Sequence, residues 1–97
     1  MLRAIVLHPD DNVATLIDAG CASQSVRLTG EATGRLNLLV DVPFGHKCAL
    51  RPIAKGDAIR KYGQIVGRAT APIRAGDHVH VHNVEALRGR GDIAENR

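Results

Sequence analysis

Two eleven-residue stretches, 49–59 and 69–79, stand twenty positions apart and follow one pattern. Each runs Pro-Ile, two spacer residues, Gly-Asp, one further residue and then a β-branched side chain: Pro52-Ile53 to Ile59, and Pro72-Ile73 to Val79. Proline donates no hydrogen bond to a sheet ladder, so each copy must enter as a turn or an edge. Gly-Asp then punctuates a tight turn into a strand. Two such units call for a hairpin-rich clip with a pseudo-twofold, because a solenoid needs more copies. No segment sustains a helical period for more than about two turns. The expectation is a mostly β domain of short strands and tight turns.

The rest of the chain agrees with this reading. Apolar runs at Leu2–Leu7 and Asn12–Ile17 flank Pro9-Asp10-Asp11-Asn12, whose Asp and Asn side chains bond their own backbone while Pro fixes φ. This predicts a hairpin-like pair, with structural roles for His8, Asp11 and Asn12. Ser25–Thr29 alternates as a third strand, and Leu36–Val42 is apolar enough for a fourth, largely buried one. Lys61–Gly67 is bounded by glycine and could form one short helical turn. With 97 residues the chain makes one small domain, 1–85, followed by a glycine-rich, charged and mobile tail, 86–97.

Phe44 and Tyr62 are the only aromatics, so the core must be built from Val, Ile, Leu and Ala, and Tyr62 is expected to pack. A core this modest suits a module that works against a partner better than an enzyme with a deep pocket. The formal charge of +3 is mild and its basic residues are scattered. Without a basic stripe or stacking aromatics, nucleic acid is not an expected partner; an anionic small molecule or an acidic protein surface is. Cys21 and Cys48 lack metal-type spacing and are expected to be reduced and packed inside a cytoplasmic protein. No leader or membrane-length apolar run stands in the sequence.

The strongest chemical signal is Gly76-Asp77-His78-Val79-His80-Val81-His82-Asn83. In an extended strand alternate residues share a face, which would line up His78, His80 and His82 about 6.8 Å apart at the backbone. Imidazole suits a divalent first-row metal, and alternate strand residues can deliver two ligands to one ion. No Asp, Glu or Cys in this strand completes such a site, so a further ligand has to come from His46, from His8 or from a partner chain. The alternative is a solvated polar face. Gly45-His46-Lys47 follows Pro43 on a turn entering a strand. There His46 could act as general acid or base, with Lys47 and Arg51 clamping a carboxylate as point charge and planar fork. Asn83 could assist in binding substrate.

In order and spacing, His8-Pro9-Asp10-Asp11-Asn12-Val13-Ala14, Pro43-Phe44-Gly45-His46-Lys47, Ile53-Ala54-Lys55-Gly56-Asp57, Lys61-Tyr62-Gly63, Ile65-Val66-Gly67 and Gly76–Asn83 resemble one family. It is the small subunit or N-terminal domain of altronate and galactarate dehydratases and of sulfolactate sulfo-lyase. The resemblance covers about residues 3–85 and implies a SAF-type β-clip fold. It implies a metal-dependent hydro-lyase that eliminates water from a sugar acid such as altronate, with iron as the metal and manganese as the alternative. It also implies that most of the catalytic machinery, and a share of the metal site, belongs to a large subunit. The chain alone would then be inactive or weakly active, and free to associate with itself. A non-catalytic module that binds acidic sugars or mediates assembly is the other reading.

Overall fold

Both repeated stretches fold as a bridge residue, a tight turn and a short strand, and the same device is used twice more. The computed structural model describes residues 2–87; the expected tail from Arg88 onward lies outside the described residues. Four related turns, among others in the described residues, close with a hydrogen bond from the fourth residue to the first carbonyl: Gln24 to Cys21, His46 to Pro43, Asp57 to Ala54 and Asp77 to Arg74, each 3.0–3.1 Å. The third residue of each has positive φ (Ser23 73°, Gly45 81°, Gly56 91°, Gly76 89°), the signature of a type II turn. The residues leading into them pair off as antiparallel bridges, Gly20 with Val42 and Ile53 with Ile73. The clip expected from two copies is therefore built from two such pairs.

Nine short strands follow from this punctuation, with no helix among the described residues: β1 (Leu2–Val6), β2 (Val13–Leu16), β3 (Ser25–Gly30), β4 (Gly34–Asn37), β5 (Lys47–Ala49), β6 (Ala58–Lys61), β7 (Gln64–Ala69), β8 (His78–Val79) and β9 (Val84–Ala86). Six form one sheet in the order β4-β3-β1-β2-β5-β8, and β6-β7-β9 form a second. Among the described strand pairs, only β1 and β3 run parallel. Two cores result. Ala4, Val6, Ala14, Leu16, Val26, Leu38, Val42 and Cys48 make one, and Val13, Ala49, Ile53, Ile59, Ala69, Ile73 and Val79 make the other. Strands β2 and β5 are the wall between them, since period-two alternation sends Cys48 into one core and Ala49 into the other. Burial pushes the Cys48 thiol up to about 11, which keeps it protonated and inert.

Several expectations need correction. The fourth strand begins and ends earlier than Leu36–Val42, at Gly34–Asn37. Beyond it the chain leaves the ladder, burying Leu38 and Val42 but exposing Leu39 and Val40, and Leu39 N–H bonds the Gly76 carbonyl at 3.0 Å. Lys61–Gly67 forms no helical turn. It is the two-residue hairpin of β6 and β7, with positive φ at both Tyr62 (60°) and Gly63 (72°), which matches the sheet's twist. Tyr62 does not pack: it is 63% exposed at the hairpin tip, and Cys21 is likewise exposed. Strand β9 ends at Ala86.

The His8–Asn12 block accounts for that hairpin. Asp11, 2% exposed, accepts hydrogen bonds from Tyr62 N–H (3.0 Å) and Gly63 N–H (2.8 Å), one on each carboxylate oxygen. Asn12 donates to the Ala58 carbonyl and accepts from Arg60 N–H, both at 2.8 Å. The His8 ring lies against Gly63, where a Cβ would fall 2.7 Å from it. The block is a latch between the two sheets, in keeping with its expected structural role.

Candidate functional site

Strand β8 is where the histidines leave the expected geometry. It holds only His78 and Val79, paired antiparallel with β5 (Lys47 opposite Val79, Cys48 opposite His78). The chain then turns through His80–Asn83, closed by Asn83 N–H to the His80 carbonyl at 3.1 Å. The Asn83 side chain explains why: it accepts from His80 N–H (3.0 Å) and donates to the His78 carbonyl (2.9 Å). Both ends of that amide thus hold the backbone, which competes with strand continuation. Val79 is fully buried while Val81 is 80% exposed, so the alternation stops after one step. An extended His78–His82 strand is therefore not what the chain forms.

The turn nonetheless gathers imidazoles. His46, on the turn before β5, lies just past the end of β8 in this register, where His80 leaves the strand, and its Nδ1 lies 2.9 Å from His78 Nε2. His80 stacks on His46 with ring centroids 4.3 Å apart, and on His78 at 5.2 Å. One ring nitrogen from each of His46, His78 and His80 lies within 4.8 Å of the other two. His82 touches His78, centroids 5.3 Å apart, but stands outside this group of three. His8 is elsewhere, on the Tyr62–Gly63 turn. Adjacent nitrogens around a tetrahedral ion with ~2.0 Å bonds stand about 3.3 Å apart, so small ring rotations would suit the three to one ion.

The electrostatics favour neutral rings. Burial, then the charges of His46, His80, His82 and Lys47, hold His78 below the usual imidazole range. Burial, His46, Lys47 and His82 do the same for His80. Neutral imidazole is the form that ligates a metal. Lys47 is half-buried on β5, and burial followed by the charge of Lys61 lowers its ammonium. The site thus combines electron-pair donors with crowded positive charge, which suits a cation ligand set beside an anion.

Because the folded-state values of His78 and His80 lie below 6.5, their contribution to stability is fully present above that pH. It is lost as pH falls through the lower folded values. In EDTA the thermal midpoint should hold between pH 7 and 8 and decline below about 6.5, more steeply than in a His78→Gln/His80→Gln double variant. Parallel curves for the two proteins would contradict the assigned shifts.

Of the other candidates, Lys47 flanks the imidazoles, whereas Arg51 lines a separate polar groove with Asn12, Asp57 and Arg60. Arg60 and the Asp11 latch were not singled out as functional from sequence. Arg60 sits in no recognisable motif, and although Asp11 belongs to the Pro9–Asn12 turn block, only the fold brings either residue beside its partners. Phe44 and Val81, 69% and 80% exposed, stand at the tips of the two turns that carry His46 and His80.

Residues 2–87 match the family described as the altronate/galactarate dehydratase SAF domain. The chain belongs to that family. This SAF domain is 35% identical over 89 residues to the (2R)-sulfolactate sulfo-lyase subunit alpha of Chromohalobacter salexigens, covering 87% of this chain and 94% of that one. It is 40% identical over 82 residues to the altronate dehydratase of Escherichia coli, covering 84% of this chain but 16% of the relative. The altronate dehydratase of Bacillus subtilis is 33% identical over 85 residues, again with 16% of its length covered. These relatives are lyases in which a SAF domain is either a subunit or a small part of a longer chain. No helix among the described residues is long and apolar enough to cross a membrane.

Proposed function

We propose that this SAF domain is the small part of a metal-dependent lyase acting on an anionic hydroxy acid, with His46, His78 and His80 holding the metal. The supporting observation is the convergence of three imidazole nitrogens within 4.8 Å from two segments far apart in sequence, the turn before β5 and the β8 strand with the turn that follows it. A divalent ion there, iron or manganese, would supply Lewis-acid stabilisation of the charge that develops on the substrate. Lys47 places a positive charge beside the group for the substrate carboxylate. His82, at the exposed edge against His78, can relay a proton to solvent or to the partner. Asn83 acts as a positioning residue, fixing the His80 backbone to that of His78. The base that removes the proton α to the carboxylate belongs to the large catalytic part, against which the exposed Phe44 and Val81 dock and exclude water from the imidazoles.

The leaving group has two readings. Altronate dehydratases as relatives favour loss of a β-hydroxyl. A sulfo-lyase subunit alpha matched over 94% of its length favours loss of sulfite from sulfolactate. Assaying the large subunit alone, with this chain and with its His80→Ala variant, on altronate and on sulfolactate, decides both points. The wild-type pair should be active on one substrate. His80→Ala should lose no less than the ~10–100-fold typical of removing a supporting group at a metal site. Equal rates in all three mixtures would leave this chain an assembly module.

A further inference from the structure

A second feature of the surface has no part in the histidine group. Arg51, Arg60, Asp57 and Asn12 surround a polar groove of about 340 Å³, and none of His46, His78, His80 or His82 lines it. Its wall is rigid. Asn12 is 7% exposed, and its side chain is spent on the Ala58 carbonyl and on Arg60 N–H, which fixes the backbone from which the Arg60 guanidinium extends. The Arg51 guanidinium makes one long contact, Nη1 to the Asp11 carbonyl at 3.4 Å.

The charges around this groove are not matched to one another. Ion pairs among the described residues are Arg3–Asp18, His8–Asp10 and Arg74–Asp77, so neither Arg51, Arg60 nor Asp57 takes part in one. The contrast between equivalent turns is informative. Asp77 turns its carboxylate back onto Arg74, accepting from its N–H at 2.8 Å with Nε at 3.8 Å. Asp57 holds the same position in its own turn, yet its carboxylate makes no such bond and borders the groove. Two guanidiniums and one carboxylate carry a net charge of +1, which a monoanion neutralises. The forked guanidiniums match a carboxylate, while the Asp57 oxygens require a donor such as a hydroxyl. The volume is at the lower end of small-molecule sites, which suits an acid of about three to six carbons.

We propose that the groove between Arg51, Arg60 and Asp57 is a second, metal-independent ligand site for a hydroxylated carboxylic acid. Arg51 and Arg60 hold the carboxylate, and Asp57 accepts hydrogen bonds from hydroxyl groups. Asp57 also selects against multiply charged oxyanions, which would bring unneutralised negative charge to its carboxylate. The site does not depend on the reading of the histidines, because no imidazole or metal enters it.

The test is an amide NMR titration of the full chain in EDTA with sodium gluconate, propionate, glycerol and inorganic phosphate. Gluconate should give saturable shifts centred on residues 12 and 57–60, and glycerol none. Propionate should bind at least about tenfold more weakly, the value of one lost hydrogen bond to a charged group. An Arg51→Gln/Arg60→Gln variant should weaken gluconate at least about tenfold while its remaining spectrum stays dispersed. Asp57→Asn should bring gluconate close to propionate. Unsaturable shifts, unchanged affinity in the double variant, or phosphate bound as tightly as gluconate would each overturn the assignment.

Discussion

Replacing Asp11 with alanine should lower the thermal midpoint of the domain by about 15 °C. The carboxylate is 2% exposed and accepts the N–H groups of Tyr62 and Gly63 on separate oxygens. Both donors belong to a hairpin whose two loop residues have positive φ, and a tyrosine there is strained by about 1–2 kcal/mol. Hydrogen bonds to a buried charged group contribute about 1.5–3 kcal/mol each, and their loss would leave two donors without a partner. A net cost of about 3 kcal/mol, at roughly 4–8 °C per kcal/mol for a domain of this size, gives the stated shift. Asp11→Asn keeps one acceptor oxygen and should fall between the two. Tyr62→Gly relieves the strained φ and should match or exceed the wild type. Melting curves of the three variants check the account. An Asp11→Ala protein that melts with the wild type would mean the latch holds nothing.

That latch illustrates how far the sequence could be read. Pro9-Asp10-Asp11-Asn12 is recognisable as turn chemistry because Asp and Asn bond nearby backbone. The hydrogen bonds actually made reach 46 to 52 residues along the chain, and no local pattern encodes that distance. The same division runs through the turns. Gly-Asp in the two Pro-Ile stretches marks two of the four, since glycine and aspartate are the residues such turns favour. The Pro43–His46 turn is legible from Pro43 and Gly45 although His46 stands in place of aspartate, whereas the Cys21–Gln24 turn is concealed by Ser23 in place of glycine and Gln24 in place of aspartate. Seeing His46 as the counterpart of Asp57 and Asp77 would have placed it at the mouth of a strand pairing with β8.

The histidine-rich segment was visible as chemistry but not as geometry. Alternation of His and Val satisfies the strand pattern from His78 through His82. Asn83 overrides it by bonding the backbone at both His78 and His80, a competition that period-two counting does not weigh. The resulting turn keeps His78 and His80 together and moves His82 outward. The family resemblance, in contrast, rested on several separated blocks. Blocks of that kind survive an error in one strand, and the match across residues 2–87 bears the family out.

Alanine at position 76 is expected to be the most damaging small substitution near the imidazoles. Gly76 has φ of 89°, and a Cβ built on it would collide with the Asn37 carbonyl oxygen while standing 3.3 Å from Leu39 N. That close approach is fixed on both sides, because Gly76 N–H donates to the Ala49 carbonyl at 2.9 Å and its own carbonyl accepts from Leu39. Backbone cannot yield as the tip of a side chain can, so the methyl group must break one of these bonds or unseat the turn. Adding the left-handed penalty of about 1–2 kcal/mol to the lost contact gives at least ~3 kcal/mol. Gly56 is the internal control: its φ is 91°, in the equivalent turn, yet a Cβ there meets nothing within 4 Å. Gly56→Ala should therefore cost the conformational penalty alone. Chemical denaturation of both variants isolates the contact contribution as their difference. Cobalt titration then asks whether unseating the turn that leads into β8 also draws His78 away from His46. If Gly76→Ala were no more costly than Gly56→Ala, the approach to Asn37 would not be what seats that turn, and the imidazole pair would have to be held by the Asn83 bonds alone.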